Sequence, residues 1–184
     1  RDLHSFPTRR SSDLLVPLFI DPAVGEYTAK TFSKDRYDIW TMQSGYHNLP
    51  QINGFDQKDG KQYAAKVVSH KDGQLTLDIA GAYPAEAKVK SWKRTVSATK
   101  SGVTVTEDYE LDKYRQPTRL MFLTLDADAL KHLHFDATQM EATVEDISDK
   151  LDPVLQGMWG KHMYRIVHTI RSGRLKNQIK YIIR

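Results

Sequence analysis

Two residues able to hold a divalent cation sit in one aromatic-rich block. Residues 19 to 50 read FIDPAVGEYTAKTFSKDRYDIWTMQSGYHNLP. Asp21 closes an apolar run, and His47 precedes Asn48 and the turn-forming Pro50. Carboxylate and imidazole are ligand types that zinc recruits. Two ligands on separate strands leave a site open, so at least one more is needed. Between them lie Tyr27, Phe32, Tyr37, Trp40 and Tyr46. Such rings can stack on sugars or bases, or anchor a long loop to the fold. Tyr27 and Asn48 are the candidate substrate contacts.

The remaining chemistry is sparse. There is no GxSxG, Walker loop, GxGxxG or HExxH, so phosphate cradles and local Ser/His/Asp catalysis lack support. There are no cysteines, which removes disulfides and thiolate chemistry. Of the other histidines, His70 sits at a turn, and His132 and His134 form an HxH pair expected to point to one strand face. That pair lacks a third ligand nearby and reads as a solvated or edge face. His162 and His168 lie on the expected last hairpin and read as surface or packing residues.

Strand signals dominate the elements that must position these residues. Leu15 to Ile20 suits a short buried strand. Leu75, Leu77 and Ile79 alternate with Thr76 and Asp78, the period of a half-buried strand. Val89 to Ala98 and Val103 to Leu111 flank Thr99-Lys100-Ser101-Gly102, a hairpin turn. In the second of these, Val103, Val105, Tyr109 and Leu111 share a face with Glu107. Leu120 to Leu125 is apolar on both faces, as in a central strand. Met140, Ala142 and Val144 alternate with charged and polar residues. His162 to Arg171 and Arg174 to Ile183 are expected to form a final hairpin around Ser172-Gly173. Turns are marked at Asn53-Gly54 and at Lys71-Asp72-Gly73. No amphipathic helix of three turns is evident, although Ala85 to Lys90 can form one helical turn. About ten strands with little helix predict an all-β fold, an antiparallel β-sandwich of layered sheets.

Arg1 to Leu14, RDLHSFPTRRSSDL, resembles at every position the conceptual translation of a short-read sequencing adapter. It is set aside from fold reasoning and expected to be disordered, and the natural protein is expected to continue upstream. The natural part, 15–184, is long enough for one domain with a real core. The adapter stretch holds three of the 27 basic and two of the 23 acidic residues, which lowers the net charge from +4 to +3. That mild excess suits a polyanionic partner, but scattered lysines are ordinarily a solvated surface. No apolar run reaches the roughly 20 residues of a membrane helix.

The natural stretch resembles the C-terminal β-domain of heparinase II/III-like polysaccharide lyases. The resemblance is carried by FIDPAVGEYT, KTFSKDRYDIWTMQSGYHNLPQINGFDQ, DIAGAYPAEAKVKSWKRT and MYRIVHTIRSGRLKNQIKYIIR. It implies that Asp21 and His47 are metal ligands for a structural zinc. A third ligand, a histidine of an upstream segment, has no counterpart here, so the site is expected to be incomplete. Ala23 departs from the family, which usually has glycine there. The resemblance further implies a missing N-terminal helical domain that supplies the catalytic tyrosine and histidine, leaving no catalytic residue in this chain. Its substrates would be acidic, uronate-containing polysaccharides of the heparan sulfate or alginate kind, cleaved by β-elimination. A periplasmic or extracellular location follows from that substrate class.

Two other readings belong to other classes. A non-catalytic carbohydrate-binding sandwich would require an exposed aromatic platform at Trp40 and Tyr46. A nucleic-acid-binding β-domain would require Lys and Arg to cluster on one face, and the expectation is that nucleic acid is not a partner.

Overall fold

The computed structural model describes residues 17–100, 102–135 and 140–184. Arg1 to Leu14, the adapter-like stretch, lies outside the described residues, as do Leu15 and Ser101. The described residues hold ten strands: β1 (Pro50–Gln51), β2 (Lys66–Lys71), β3 (Gln74–Asp78), β4 (Val89–Thr99), β5 (Gly102–Leu111), β6 (Arg119–Thr124), β7 (Leu133–Phe135), β8 (Met140–Asp146), β9 (Tyr164–Ile170) and β10 (Lys176–Ile183). One α-helix, α1 (Pro153–Trp159), precedes β9. Every ladder is antiparallel. The strands form a four-stranded sheet, β1-β6-β9-β8, and a six-stranded sheet, β2-β3-β4-β5-β10-β7. The expected all-β sandwich is the observed architecture.

Alternation builds the sheets. On β5, Val105, Glu107, Tyr109 and Leu111 point inward and are buried, while Asp108 faces solvent. Across the ladder Trp92 opposes Tyr109 and Arg94 opposes Glu107. The Trp92 and Tyr109 rings stack at 4.7 Å, with an interplanar angle of 9°. Phe122 of the smaller sheet meets Tyr181 of the larger one edge-on at 5.6 Å, so one apolar layer joins the two. Each large side chain fully buried there contributes about 1.5–3 kcal/mol. The turn between β2 and β3 uses Asp72 and Gly73 at φ 53° and 71°, the left-handed pair a tight hairpin requires.

β6 is buried along almost its whole length, and a second core explains why both its faces are apolar. Leu123 packs with Ile20, Ile147, Leu151, Leu155 and Met163, beneath α1 and the chain around residue 20. α1 is only seven residues long and has no three-turn pattern to signal it. Its ends were nevertheless written in the sequence. The Asp152 side chain caps the Leu155 amide, Pro153 occupies the first turn, and Gly160 terminates it at φ 91°, as helix ends favour.

Several expectations fail. β9 and β10 do not form a hairpin. β9 pairs with β6 and β8, whereas β10 pairs with β5 and β7, in the other sheet. A turn signal marks a change of direction but not which edge the chain joins. Residues 17–20 are irregular rather than a strand, although the Ile20 amide donates to the Leu123 carbonyl. His132 ends a 3-10 turn and its Nδ1 lies 2.6 Å from the Arg184 carbonyl, while His134 lies on β7; they are not a strand-borne pair. The single helical turn expected after Pro84 does form, as a 3-10 turn over Ala85–Ala87 ended by Lys88 at φ 52°. His162 is exposed and His168 buried, a surface residue and a packing residue as expected.

Asn53 is a buried polar hub. Its amide donates to the carbonyls of Ala87 (2.7 Å) and Lys113 (2.8 Å) and its oxygen accepts from the Arg115 amide (3.0 Å). Asn53→Ala would orphan these groups in the interior, so we expect destabilisation of about 3 kcal/mol by urea denaturation. His168 is the opposite case. It is 4% exposed, sits against Phe135 and Phe122, and its Nε2 has no partner among the described residues. Burial pushes its pKa from 6.5 down to about 4. A base held neutral in the fold contributes stability that is intact above its unfolded pKa and lost as pH falls through the window between the two values. The expected loss between pH 6.5 and pH 4 is about 3 kcal/mol. His168→Phe should flatten that part of the stability profile measured against pH.

Candidate functional site

The aromatic block is not built from strands. From Ala29 to Tyr46 it runs through four 3-10 turns, Ala29–Phe32, Arg36–Asp38, Trp40–Met42 and Ser44–Tyr46. Asp21 and His47 therefore lie in irregular chain rather than in strands; the block lacks the period-two alternation that a ladder needs. Side chains tie this run to the body instead. Trp159 Nε1 donates to the Pro22 carbonyl (3.1 Å) and Trp40 Nε1 to the Lys150 carbonyl (3.1 Å). The Glu26 amide donates to Asp152 (2.9 Å), and Arg165 Nη1 to the Gly45 carbonyl (3.1 Å).

This strapping brings Asp21 and His47 together. His47 Nδ1 lies 2.8 Å from Asp21 Oδ2, and Nε2 lies 3.1 Å from the Thr41 carbonyl. A shared zinc would hold the two ligand atoms roughly 3–4 Å apart; here they are in direct hydrogen-bond contact, on one spot and well inside that reach. The Thr41 carbonyl can only accept, so Nε2 carries the proton. Nδ1 then either donates to the carboxylate or turns its lone pair toward a cation shared with it. A backbone carbonyl holding the second ring nitrogen is the arrangement that metal-binding histidines use. The residues present therefore fit two ligands of a cation site. No group of three or more His, Cys, Asp or Glu able to hold a metal occurs among the described residues.

Asn48 is half-buried, and its side chain bonds to backbone on both sides. Its Nδ2 donates to the Ile20 carbonyl (2.9 Å), its Oδ1 accepts from the Leu123 amide (3.0 Å), and the Ile20 amide returns to the Leu123 carbonyl (3.0 Å). The side chain acts as a piece of strand where β1 leaves the edge of β6. The cause is simple: a buried backbone edge must find partners, and an amide side chain supplies both a donor and an acceptor.

Tyr27 does face solvent. It is 65% exposed and stacks on Phe32, itself 79% exposed, with centroids 5.8 Å apart. Trp40 and Tyr46, by contrast, are half-buried against the second core and meet edge-on at 5.2 Å. Arg165 lies over the Tyr46 ring at 4.4 Å. The exposed platform is thus displaced from the pair on which the carbohydrate-binding reading rested.

Arg94 reaches this loop from the larger sheet. Nε donates to Glu107 Oε1 (2.7 Å) and Nη1 to the Asn48 carbonyl (2.8 Å). Glu107 is fully buried and also accepts from Trp92 Nε1 (2.6 Å) and the Tyr181 hydroxyl (3.2 Å). Burial works against the Arg94 charge, but the Glu107 carboxylate outweighs it and raises the guanidinium pKa. Alternation places Glu107 on the apolar face of β5 but names no partner for it; Arg94 occupies the directly opposed position on β4.

No family model matches the chain, and no curated protein matches it. Among the described residues no helix is long and apolar enough to cross a membrane.

Ala23, in the loop that follows Asp21, adopts φ 66°. A left-handed non-glycine residue is strained by about 1–2 kcal/mol, part of which glycine would give back through unfolded-chain entropy. We expect Ala23→Gly to stabilise the protein by about 0.5–1 kcal/mol in thermal or chemical denaturation.

Proposed function

We propose that this chain is the β-domain of a heparinase II/III-like polysaccharide lyase acting on uronate polymers, with its chemistry performed by a separate helical domain. The observation that carries the reading is the closure of Asp21 on His47 at 2.8 Å, with the ring oriented by Thr41, inside the block that bears the resemblance. A two-sheet antiparallel sandwich is the architecture the resemblance implies.

In β-elimination a base removes the C5 proton beside the carboxylate, the bond from C4 to the glycosidic oxygen breaks, and a double bond forms between C4 and C5. Neutralising the carboxylate and placing the base are the catalytic demands. In this reading neither group comes from this chain. Asp21 and His47 would hold a structural zinc, which supplies no bond-breaking step and braces two loop segments; the third ligand would come from outside the described residues. Their task is to frame one wall of a cleft. An exported enzyme, in the periplasm or outside the cell, fits such substrates.

A second reading, a non-catalytic carbohydrate-binding module, gains one specific support, the stacked and exposed Tyr27–Phe32 pair. The two readings separate in one experiment. The purified chain is run through native gels containing alginate, heparan sulfate or a neutral β-glucan, and parallel samples are followed for the absorbance of the unsaturated product. The lyase reading expects salt-sensitive retardation by the acidic polymers and no absorbance increase. Retardation by the neutral glucan, abolished by Tyr27→Ala or Phe32→Ala, would favour the binding module. Turnover by the chain alone would overturn the division of labour.

A further inference from the structure

We propose that Arg94, anchored by Glu107, is the positioning residue of the Asp21–His47 site. The proposal rests on the reading that this pair is a functional site, but its geometric content can be tested separately. Arg94 and Glu107 face each other across β4 and β5, in the sheet opposite to the one that borders the site. The guanidinium is a rigid planar fork. One arm is fixed on a carboxylate with no solvent exposure, so the direction of the other arm is fixed too, and it ends on the Asn48 carbonyl at 2.8 Å.

Asn48 is where the two halves of the site meet. Its backbone follows His47 directly. Its side chain grips the carbonyl of Ile20, the residue before Asp21, at 2.9 Å, and takes the Leu123 amide at 3.0 Å. Holding the Asn48 carbonyl therefore sets both partners: His47 through the chain, and Asp21 through the side-chain bridge. The Asp21 side chain is two-thirds exposed, and besides His47 it is held by the Ala23 amide, which donates to Oδ1 at 3.3 Å. The nearest fixed point on its side of the site is the bridge at Ile20.

The energetics favour a directional role over simple stabilisation. Burying an ion pair removes two charges from water, and well-packed apolar residues of similar size are often as stable or more so. Glu107 is kept acceptable by Trp92 Nε1 and the Tyr181 hydroxyl, which satisfy its remaining lone pairs. Apolar residues at 94 and 107 could fill the space, but they could not hold a carbonyl on the far side of the core. Lysine at 94 could keep the charge, but it lacks the second, rigidly directed arm.

Two variants of the whole chain test this. Arg94→Lys keeps a cation beside Glu107 and removes the fork. The double variant Arg94→Met/Glu107→Leu removes the pair and refills the core. Three readouts are taken: thermal unfolding, the long-range 15N–1H correlation of the His47 ring, which reports its tautomer, and titration with cobalt(II) alone. In the wild type the ring should show a protonated Nε2. In both variants that pattern should collapse toward the averaged pattern of a free histidine, and cobalt affinity should fall at least tenfold, as when an outer partner of a metal ligand is lost. The double variant also takes away the carboxylate that Trp92 Nε1 and the Tyr181 hydroxyl donate to, so it should unfold below the wild-type temperature while remaining cooperatively folded. If either folded variant keeps the wild-type His47 pattern and binds cobalt within twofold of wild type, Arg94 and Glu107 are structural only and the proposal falls. If the wild type takes up no cobalt, as a site short of its third ligand allows, the His47 pattern alone decides the positioning role, and an unchanged pattern in either folded variant overturns it.

Discussion

A carboxylate cannot sit dry and unpaired, and much of this molecule is arranged around that constraint at Glu107. It lies at the centre of β5 with no exposure. Three donors converge on it: Arg94 from the adjacent strand β4, Trp92 two positions earlier on the same strand, and Tyr181 from β10 on the other side. Those contacts span three neighbouring strands. They fix the register of β4, β5 and β10 more strictly than apolar packing would, because a one-residue slip would bury an ion without its partner. The second arm of Arg94 then carries the constraint across the core to Asn48.

The loop on the far side obeys a different rule. It lacks a ladder, so its backbone groups find partners one at a time, in 3-10 turns and on side chains. Two tryptophans do this with their indole N–H groups, and Asp152 does it with both oxygens, one capping α1 and one holding Glu26. A loop secured in this way can place Asp21 beside His47 although 26 residues separate them. It also leaves Tyr27 and Phe32 outside, where their apolar surface is uncovered within this chain.

The combination of a rigid sandwich and an irregular, strapped loop is how binding and catalytic surfaces are commonly carried. The dyad of carboxylate and oriented imidazole is compatible with a cation, the exposed rings with sugar faces, and the mild positive balance with an acidic polymer. Each is weak alone. The dyad and the exposed rings lie in one block, the one that bears the lyase resemblance, and that is why we favour that function.

Local pattern was legible in the sequence wherever a decision depended on neighbours in the chain. The β4–β5 hairpin, the Asp72-Gly73 turn, the two-faced burial of β6 and the inward placement of Glu107 follow from alternation and turn chemistry. The pairing of β9 and β10 with different sheets does not, since a turn says nothing about which edge the chain will join. Asn48 shows the same limit. Its residue type advertised polar contacts, but only the meeting of Ile20, Leu123 and β1 made its side chain a substitute for backbone. The sequence by itself determined which residues could carry chemistry and which faces had to be buried, because side-chain type and period are local properties. Tertiary structure decided that Asp21 reaches His47, that Arg94 grips their common anchor, and that Tyr27 rather than Trp40 meets solvent. Those outcomes depend on contacts between residues far apart in the chain, where packing and unmet backbone groups make the choice.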